Sequence, residues 1–158
     1  MITHKHSSIQ SNIKQGTVII TGGSRGIGRA TAFQLSELGF DVIVTWNSSK
    51  KKASEVVEKI VKQGNFAAHL QLRLEHDDIH EKFKEIDSII EKPIVGLVNN
   101  VAINEGRKVF TQKSLNDWEK VFRVNVFSLV ELCKAVFERM ALSKGGKGGS
   151  IVNLEQDK

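Results

Sequence analysis

Hydrophobic positions along the chain follow two spacings that alternate with each other. Short apolar runs, typical of buried strands, lie at 17–21, 41–46, 66–72, 94–100 and 150–154. Between these runs, apolar residues recur every three or four positions, as in helices, over 26–38, 53–61, 79–90 and about 116–142. Strands that alternate with helices predict parallel crossover connections. We therefore expect one parallel sheet with helices on both of its faces.

Each predicted helix carries apolar residues that we expect to cover the sheet. In the first three helices these are Ile27, Ala30, Leu35 and Leu38; Ala53, Val56, Val57, Ile60 and Val61; and Ile79, Phe83, Ile86, Ile89 and Ile90. The long fourth helix has two apolar faces, one of Phe122, Val126, Leu129, Cys133, Val136 and Met140 and the other of Phe127, Val130 and Phe137. Only one of these two faces can lie on the sheet, so the other is available to a further partner.

Composition predicts a single domain at 16–158, preceded by a polar lead-in at 1–15. No apolar run approaches the length of a membrane span, so we expect no membrane partner. Cys133 is the sole cysteine, which rules out an intrachain disulfide and suits the reducing cytoplasm. The net charge of +5 comes from scattered lysines without interleaved aromatic residues. This pattern favours a solvated surface over a nucleic-acid interface.

Four glycines lie within seven residues, where the first predicted strand gives way to the first helix. The stretch reads TVIITGGSRGIGRA, and its glycines are Gly22, Gly23, Gly26 and Gly28. Unpaired N–H groups and the positive end of the dipole make a helix start a site for anions, and glycines let a phosphate approach the backbone. The spacing differs from the G-x-G-x-x-G of the general dinucleotide fingerprint. It favours a phosphate-binding loop, with a tight turn that binds nothing as the alternative.

Three ordered motifs carry a resemblance to a known family. The glycine stretch has the form T-G-x-x-x-G-I-G, LVNN ends the fourth strand at 97–100, and VFRVNVFS at 121–128 contains Asn125. Together with GGSIVNL at 148–154, they resemble the short-chain dehydrogenase/reductase family, most closely its 3-oxoacyl-[acyl-carrier-protein] reductase branch. The resemblance begins at Gly16 and covers about the first two-thirds of a usual member. It implies a three-layer α/β/α Rossmann-like fold with a parallel sheet in the order 3-2-1-4-5, without the family's later strands and helices.

The resemblance also implies a binding site for NADP(H). The residues it assigns to the cofactor are Thr21, Gly22, Ser24, Arg25, Gly26, Ile27, Gly28, Asn47, Leu74 and Asn99. Sites that prefer NAD place a carboxylate after the second strand, whereas sites for NADP place a basic group there. No carboxylate occurs from 42 to 53, and Arg25 resembles the basic residue of NADP-preferring members. The run Lys50 to Lys52 is open to two interpretations, a further contact to the 2′-phosphate or a solvated helix start.

The sequence departs from the family pattern at its catalytic positions. The family uses a serine, a tyrosine with a lysine four positions later, and an asparagine, of which only Asn125 is present here. The chain contains no tyrosine, and the serine position falls near Gln156. The family motif N-N-A-G reads Asn99-Asn100-Val101-Ala102. After the third strand Arg73 replaces an aspartate that accepts a hydrogen bond from adenine, and a guanidinium only donates.

Two functions follow from these observations. By resemblance, the chain is an NADP(H)-dependent oxidoreductase that reduces a carbonyl of the 3-oxoacyl thioester type, truncated before the tyrosine motif. The alternative is a catalytically silent remnant that acts as a nucleotide-binding or interaction module. Because the family packs a later helix and a partner subunit on the long helix, we expect self-association, or pairing with a full-length relative, through 116–142. His76 and His80 lack a third ligand nearby, so we expect no metal site.

Overall fold

The computed structural model describes residues 16–104, 106 and 109–155, so the predicted lead-in at 1–15 and the serine position at Gln156 lie outside the described residues. Within these ranges one sheet contains five parallel strands in the order β3-β2-β1-β4-β5. The strands are β1 (Thr17–Ile20), β2 (Asp41–Trp46), β3 (Ala67–Gln71), β4 (Ile94–Asn99) and β5 (Ser150–Asn153). The predicted fold class and strand order are confirmed.

Five α-helices cover the two faces of the sheet in the described part of the chain. They are α1 (Gly26–Glu37), α2 (Lys50–Lys62), α3 (Ile79–Ile89), α4 (Leu115–Phe122) and α5 (Ser128–Met140). The long helix predicted over about 116–142 is present from Leu115 to Met140, but a π-helical segment (Arg123–Phe127) within it joins α4 to α5. Such wider turns are rare and often occur at functional sites. No helix in the described ranges is both long enough and apolar enough to cross a membrane.

Two hydrophobic clusters pack on opposite faces of the sheet, because successive strand residues point to opposite sides. On one face, β1 and β2 pack against α1 and α2 through Val18, Ile20, Val42, Val44, Ala32, Ala53, Val56 and Ile60. On the other face, Ile19 and Ile43 pack against α3 and α5 through Phe83, Ile86, Leu132 and Val136. β1 and β2 are buried on both faces, as is typical of parallel sheets. The loops at one end of this sheet remain open for a ligand.

The predicted inward face of the first helix was wrong at three positions. Ile27 and Leu38 are 56% and 57% exposed, and Ala30 is also exposed. The buried residues of α1 recur at steps of four instead, at Gly28, Ala32 and Ser36. Their small side chains let the helix lie close to the strands beneath it, which a face of large residues would prevent. In α2 and α3 the predicted faces are confirmed, except that Val61 and Ile89 are exposed.

The two predicted faces of the long helix also need correction. From the π segment onward its buried residues are Val124, Ser128, Leu132, Val136 and Met140, each four positions from the next. Neither predicted face is buried as a whole, because the π segment changes the rotational register of the helix: of their residues only Val136 and Met140 are buried, and Leu129 and Cys133 are partly buried. Large apolar side chains are left exposed at Phe122, Val126, Phe127, Val130 and Phe137.

Candidate functional site

A crevice of about 330 Å³ lies at the carboxyl ends of β1, β2 and β3, bounded on its far side by the loop that follows β4. This is where open parallel α/β sheets bind ligands. Of the residues that the sequence assigned to the cofactor, five line the crevice: Gly22, Ser24, Arg25, Asn47 and Leu74. The other five, Thr21, Gly26, Ile27, Gly28 and Asn99, lie outside this lining. Several of them hold the crevice in shape.

Thr21 is buried and ties the end of β1 to the end of β4. Its Oγ1 accepts hydrogen bonds from the backbone N–H groups of Asn100 at 2.9 Å and Val101 at 3.2 Å. In return, Asn100 Nδ2 donates to the carbonyl oxygens of Thr21 at 3.0 Å and Gly22 at 3.3 Å. Asn100 was missed as a site residue, although the Asn-Asn pair was visible in the sequence. It fixes the start of the glycine loop against β4.

The start of α1 opens towards the crevice without a side-chain cap. Arg25 occupies the N-cap position with an extended backbone and makes no capping hydrogen bond, and the first turn contains no acidic residue. By contrast, α3 and α4 are capped by the side chains of Asp78 and Ser114. Gly22 and Gly26 adopt φ values of +65° and +54°, and a Cβ on Gly26 would meet nothing within 4 Å. The uncapped N–H groups and this open approach suit an anion.

Gly28 and Ile27 complete the first turn of α1 in different ways. Ile27 presents an exposed side chain to solvent, whereas Gly28 is buried beneath Asn100. A Cβ on Gly28 would lie 2.6 Å from both Asn100 Nδ2 and the carbonyl oxygen of Gly22. Packing within the loop therefore requires glycine at position 28, because a Cβ there would prevent the first turn of α1 from lying against Gly22 and Asn100.

A basic groove of about 140 Å³ adjoins the crevice between α1 and α2. Its charged lining residues are Arg25, Arg29, Lys52, Glu55 and Lys59, and Arg25 borders both cavities. α2 begins at Lys50, so the three consecutive lysines occupy its first turn as expected. Of these three, Lys52 lines this groove, whereas Lys50 and Lys51 are not among its lining residues. The groove therefore combines a loop arginine with one lysine of the helix start.

Arg73 stands after β3 on the crevice wall, where Asp77 holds its guanidinium. Arg73 Nε and Nη2 lie 2.9 and 2.8 Å from Asp77 Oδ1, and the backbone N–H of Arg73 donates to Oδ2 at 2.8 Å. Burial raises the pKa of Asp77, but the hydrogen bonds from Arg73 and the charges of Arg73 and Lys82 outweigh burial, so this pKa lies below its usual value. The ionised carboxylate fixes the guanidinium at this end of the crevice.

The crevice wall beside Arg73 presents hydrogen-bond donors from the guanidinium. A fixed guanidinium at position 73 cannot accept a hydrogen bond from the amino group of adenine. The buried Leu74 follows it, with its carbonyl oxygen already accepting from Ser128 Oγ at 2.6 Å. Glu75 also lines the crevice, with Oε2 3.8 Å from Lys120 Nζ.

Asn125 lies in the π segment and clamps the loop that follows β4. Its Oδ1 accepts from the backbone N–H of Ile103 at 2.9 Å, and its Nδ2 donates to the carbonyl oxygen of the same residue at 2.8 Å. Both polar atoms of the side chain are therefore engaged by backbone. Ile103 lines the crevice, so Asn125 shapes the wall of the site from behind.

Asn99 is buried at the end of β4 and faces β5. Its Nδ2 donates to Asn153 Oδ1 at 2.9 Å and approaches Cys133 Sγ at 3.5 Å. Among the described residues its Oδ1 has no hydrogen-bond partner. These contacts lie on the α5 side of the sheet, away from the crevice lining. The described ranges contain no group of three or more His, Cys, Asp or Glu side chains placed to hold a metal ion.

Residues 16–155 match the family model described as short chain dehydrogenase. The chain is 37% identical over 142 residues to an uncharacterised oxidoreductase, YgfF, of Escherichia coli, which covers 86% of this chain and 55% of that protein. It is 33% identical over 139 residues to the 3-oxoacyl-[acyl-carrier-protein] reductase FabG of Staphylococcus epidermidis, over 87% of this chain and 55% of the reductase.

A similar solved structure is that of FolM alternative dihydrofolate reductase 1 from Brucella canis, complexed with NADP. It shares a TM-score of 0.79 and 27% identity, over 90% of this chain and 56% of that one. The chain thus spans a little over half the length of these relatives. With the family model matched over nearly all the described residues, the chain belongs to the short-chain dehydrogenase/reductase family.

Proposed function

We propose that this chain binds NADP(H) in the crevice at the carboxyl ends of β1 to β3. The observation that carries the proposal is the uncapped start of α1, where Gly22 and Gly26 leave the backbone open beside Arg25. A pyrophosphate placed there would accept hydrogen bonds from the free N–H groups. The NADP complex of the similar FolM structure supports the same choice of ligand.

We assign the ribose 2′-phosphate to Arg25, at the boundary of the crevice and the basic groove. Asn47 lines the crevice directly after β2, at the point where NAD-preferring sites place a carboxylate. Lys52 adds a second positive charge to the groove, since it faces the same cavity as Arg25. Thr21 and Asn99 support the strand ends, and Gly28 supports the loop, without lining the crevice themselves.

The chemistry that NADPH supplies when bound is a hydride. The similar FabG protein is a 3-oxoacyl-[acyl-carrier-protein] reductase, which supports a 3-oxoacyl carbonyl as the group reduced. The described residues of this chain bind the nucleotide and orient it. The family pattern assigns proton transfer to the product oxygen to a tyrosine, which these 158 residues do not contain. We therefore propose that the chain by itself binds NADP(H) without turnover, and that 3-oxoacyl reduction requires a tyrosine supplied from outside it.

A titration of the purified chain with NADPH and with NADH, followed by nicotinamide fluorescence, tests this function. We expect saturable binding of both, with NADPH binding about 10- to 100-fold more tightly, because charge-assisted hydrogen bonds to the 2′-phosphate contribute roughly 1.5–3 kcal/mol. Absence of binding at millimolar nucleotide would overturn the proposal.

The single cysteine and the reduced nucleotide both suit the cytoplasm, where we place this function.

We further propose that the exposed apolar stripe of the π segment and α5 pairs two copies of the chain, or this chain with a full-length relative. Val126, Val130 and Phe137 are 42%, 49% and 64% exposed, and Phe122, at the end of α4, is also exposed. Among the described strands, β5 at the neighbouring edge of the sheet pairs with β4 alone. An exposed apolar stripe beside an open edge is typical of an interface.

Introducing a charge into this stripe tests the pairing. We expect the chain to sediment as a dimer or larger species, and Phe137→Glu to shift it to monomer because a carboxylate cannot be buried unpaired in the contact. Lys62→Glu, at an exposed position at the end of α2 on the opposite face of the sheet, is the control and should leave sedimentation unchanged. A monomeric wild-type chain at tens of micromolar would contradict the proposal.

A further inference from the structure

Trp46 is the one large aromatic side chain that lines the crevice within the described part of the chain. It is the last residue of β2, directly before Asn47, and is partly buried against the cluster formed by α1, α2 and the sheet. The indole therefore has one side on the core and another on the open crevice. Its neighbours in the lining are Ser48 and Ser49, which lead into α2.

Hydrogen bonds from two other elements fix the orientation of this indole. Trp46 Nε1–H donates to His69 Nδ1 at 3.2 Å, and His69 Nε2 lies 3.1 Å from Ser54 Oγ. The indole N–H can only donate, so Nδ1 of His69 is the acceptor and the neutral ring carries its proton on Nε2, which donates to Ser54 Oγ. The two rings also make an edge contact at 6.1 Å between centroids, with 71° between their planes.

The chain of contacts therefore links three elements behind the crevice wall. Trp46 is on β2, His69 is on the neighbouring β3, and Ser54 is in α2. A surface tryptophan normally loses rotational freedom when a ligand stacks on it, and here that freedom is already lost. The arrangement prepares a flat aromatic surface at the β2–β3 end of the crevice.

The β2–β3 end is where the adenosine half of a dinucleotide lies in this architecture, because the ribose is held after β2. At that end the guanidinium of Arg73, bound by Asp77, offers no acceptor to the base. Stacking needs no acceptor, since every base has a π-face. We propose that the Trp46 indole is the surface on which the adenine ring stacks, and that His69 and Ser54 are positioning residues for it.

This inference rests on the proposed function, and its test separates the two. The probe is 2′,5′-ADP, which contains the adenine, the 2′-phosphate and one 5′-phosphate but no nicotinamide, and it is compared with NADPH. We expect Trp46→Leu to weaken the binding of 2′,5′-ADP about tenfold. Trp46→Phe should weaken binding less, because it keeps an aromatic face. Trp118→Phe, at the second tryptophan, which lies outside the crevice lining, is the matched control and should leave affinity unchanged.

The positioning role of His69 has its own variants. Asparagine places an acceptor near the position of Nδ1, whereas glutamine places its amide near the position of Nε2. We expect His69→Ala and His69→Gln to weaken 2′,5′-ADP several-fold, and His69→Asn to restore most of the affinity because Trp46 Nε1 keeps its acceptor. A purely structural role would make the asparagine and glutamine variants equivalent, and equal affinities would overturn the positioning role.

Fluorescence of Trp46 gives a second readout in case the leucine variant fails to fold. In the Trp118→Phe background Trp46 is the sole emitter, and stacking of adenine should quench it saturably with the same Kd as the direct titration. Failure of the wild-type chain to bind either nucleotide would contradict the proposed function. Binding with unchanged Trp46 emission, or with Trp46→Phe and Trp46→Leu equal to wild type, would overturn the stacking surface alone.

Discussion

Replacing Arg25 by alanine is expected to weaken NADPH binding about 10- to 100-fold while leaving NADH binding within a factor of two or so. The guanidinium lies at the boundary between the crevice and the basic groove, where a 2′-phosphate would meet it. A guanidinium pairs with two phosphate oxygens at once, which one lysine cannot reproduce. NADH carries a hydroxyl in place of the 2′-phosphate, so it offers Arg25 no pair of phosphate oxygens and loses little affinity when Arg25 is replaced.

Two lysines of the same helix turn make the control for this variant. Lys52 lines the basic groove, whereas Lys51 lines no described cavity. We expect Lys52→Ala to weaken NADPH binding several-fold. Lys51→Ala should change NADPH affinity little beyond the effect of losing one surface charge. The three variants are compared by fluorescence titration at one fixed salt concentration. Equal losses for NADPH and NADH in Arg25→Ala would show that the arginine supports the loop and does not select the 2′-phosphate.

The order of elements was predictable because it depends on local patterns alone. The strands of this sheet are short apolar runs, and the helices between them have apolar residues at steps of three and four. Parallel crossovers then leave few possible arrangements of five strands. The glycine loop was predictable for the same reason, since Gly22 and Gly26 both need positive φ at a strand–helix joint.

Side-chain partners across the sheet could not be predicted in this way. Asn100 reaches back to Thr21 over a separation of 79 residues, and Trp46 reaches His69 over 23. No local spacing indicates which polar residue will lie opposite another once strands pair. The hydrogen bonds of Asn125 are an example of contacts that the sequence could not predict. Its motif identified it as a site residue, but only the structure shows both of its polar atoms bound to the backbone of Ile103.

The helix faces were mispredicted where an assumption about regular geometry failed. Counting apolar residues placed Ile27 against the sheet and grouped Phe122 with Val136 on one face of the long helix, yet Ile27 and Phe122 are exposed and Val136 is buried. In α1 the buried face consists of small residues, which a count of large apolar side chains overlooks. In the long helix, the π segment around Asn125 changes the rotation between its two halves. Neither a buried face of small residues nor a π segment is encoded in the spacing of large apolar side chains.

Gly28→Ala is expected to lower the free energy of unfolding by about 2–4 kcal/mol and to abolish nucleotide binding. The added methyl would lie 2.6 Å from Asn100 Nδ2 and from the carbonyl oxygen of Gly22, so one of them must move. Moving Asn100 breaks its hydrogen bonds to Thr21 and Gly22, which hold the glycine loop against β4. The loop and the start of α1 would then separate, and the anion site depends on both.

Gly26→Ala separates this steric effect from the general cost of replacing a glycine. At Gly26 an added Cβ meets nothing within 4 Å, so only the φ of +54° opposes alanine, at a cost of about 1 kcal/mol. Urea unfolding followed by circular dichroism measures both variants, and the NADPH titration follows on those that remain folded. Should Gly28→Ala unfold at the same urea concentration as Gly26→Ala, close packing against Asn100 would not be what requires this glycine. The shape of the loop would then depend on the positive φ of Gly22 and Gly26, and the hydrogen bonds from Asn100 would be dispensable for it.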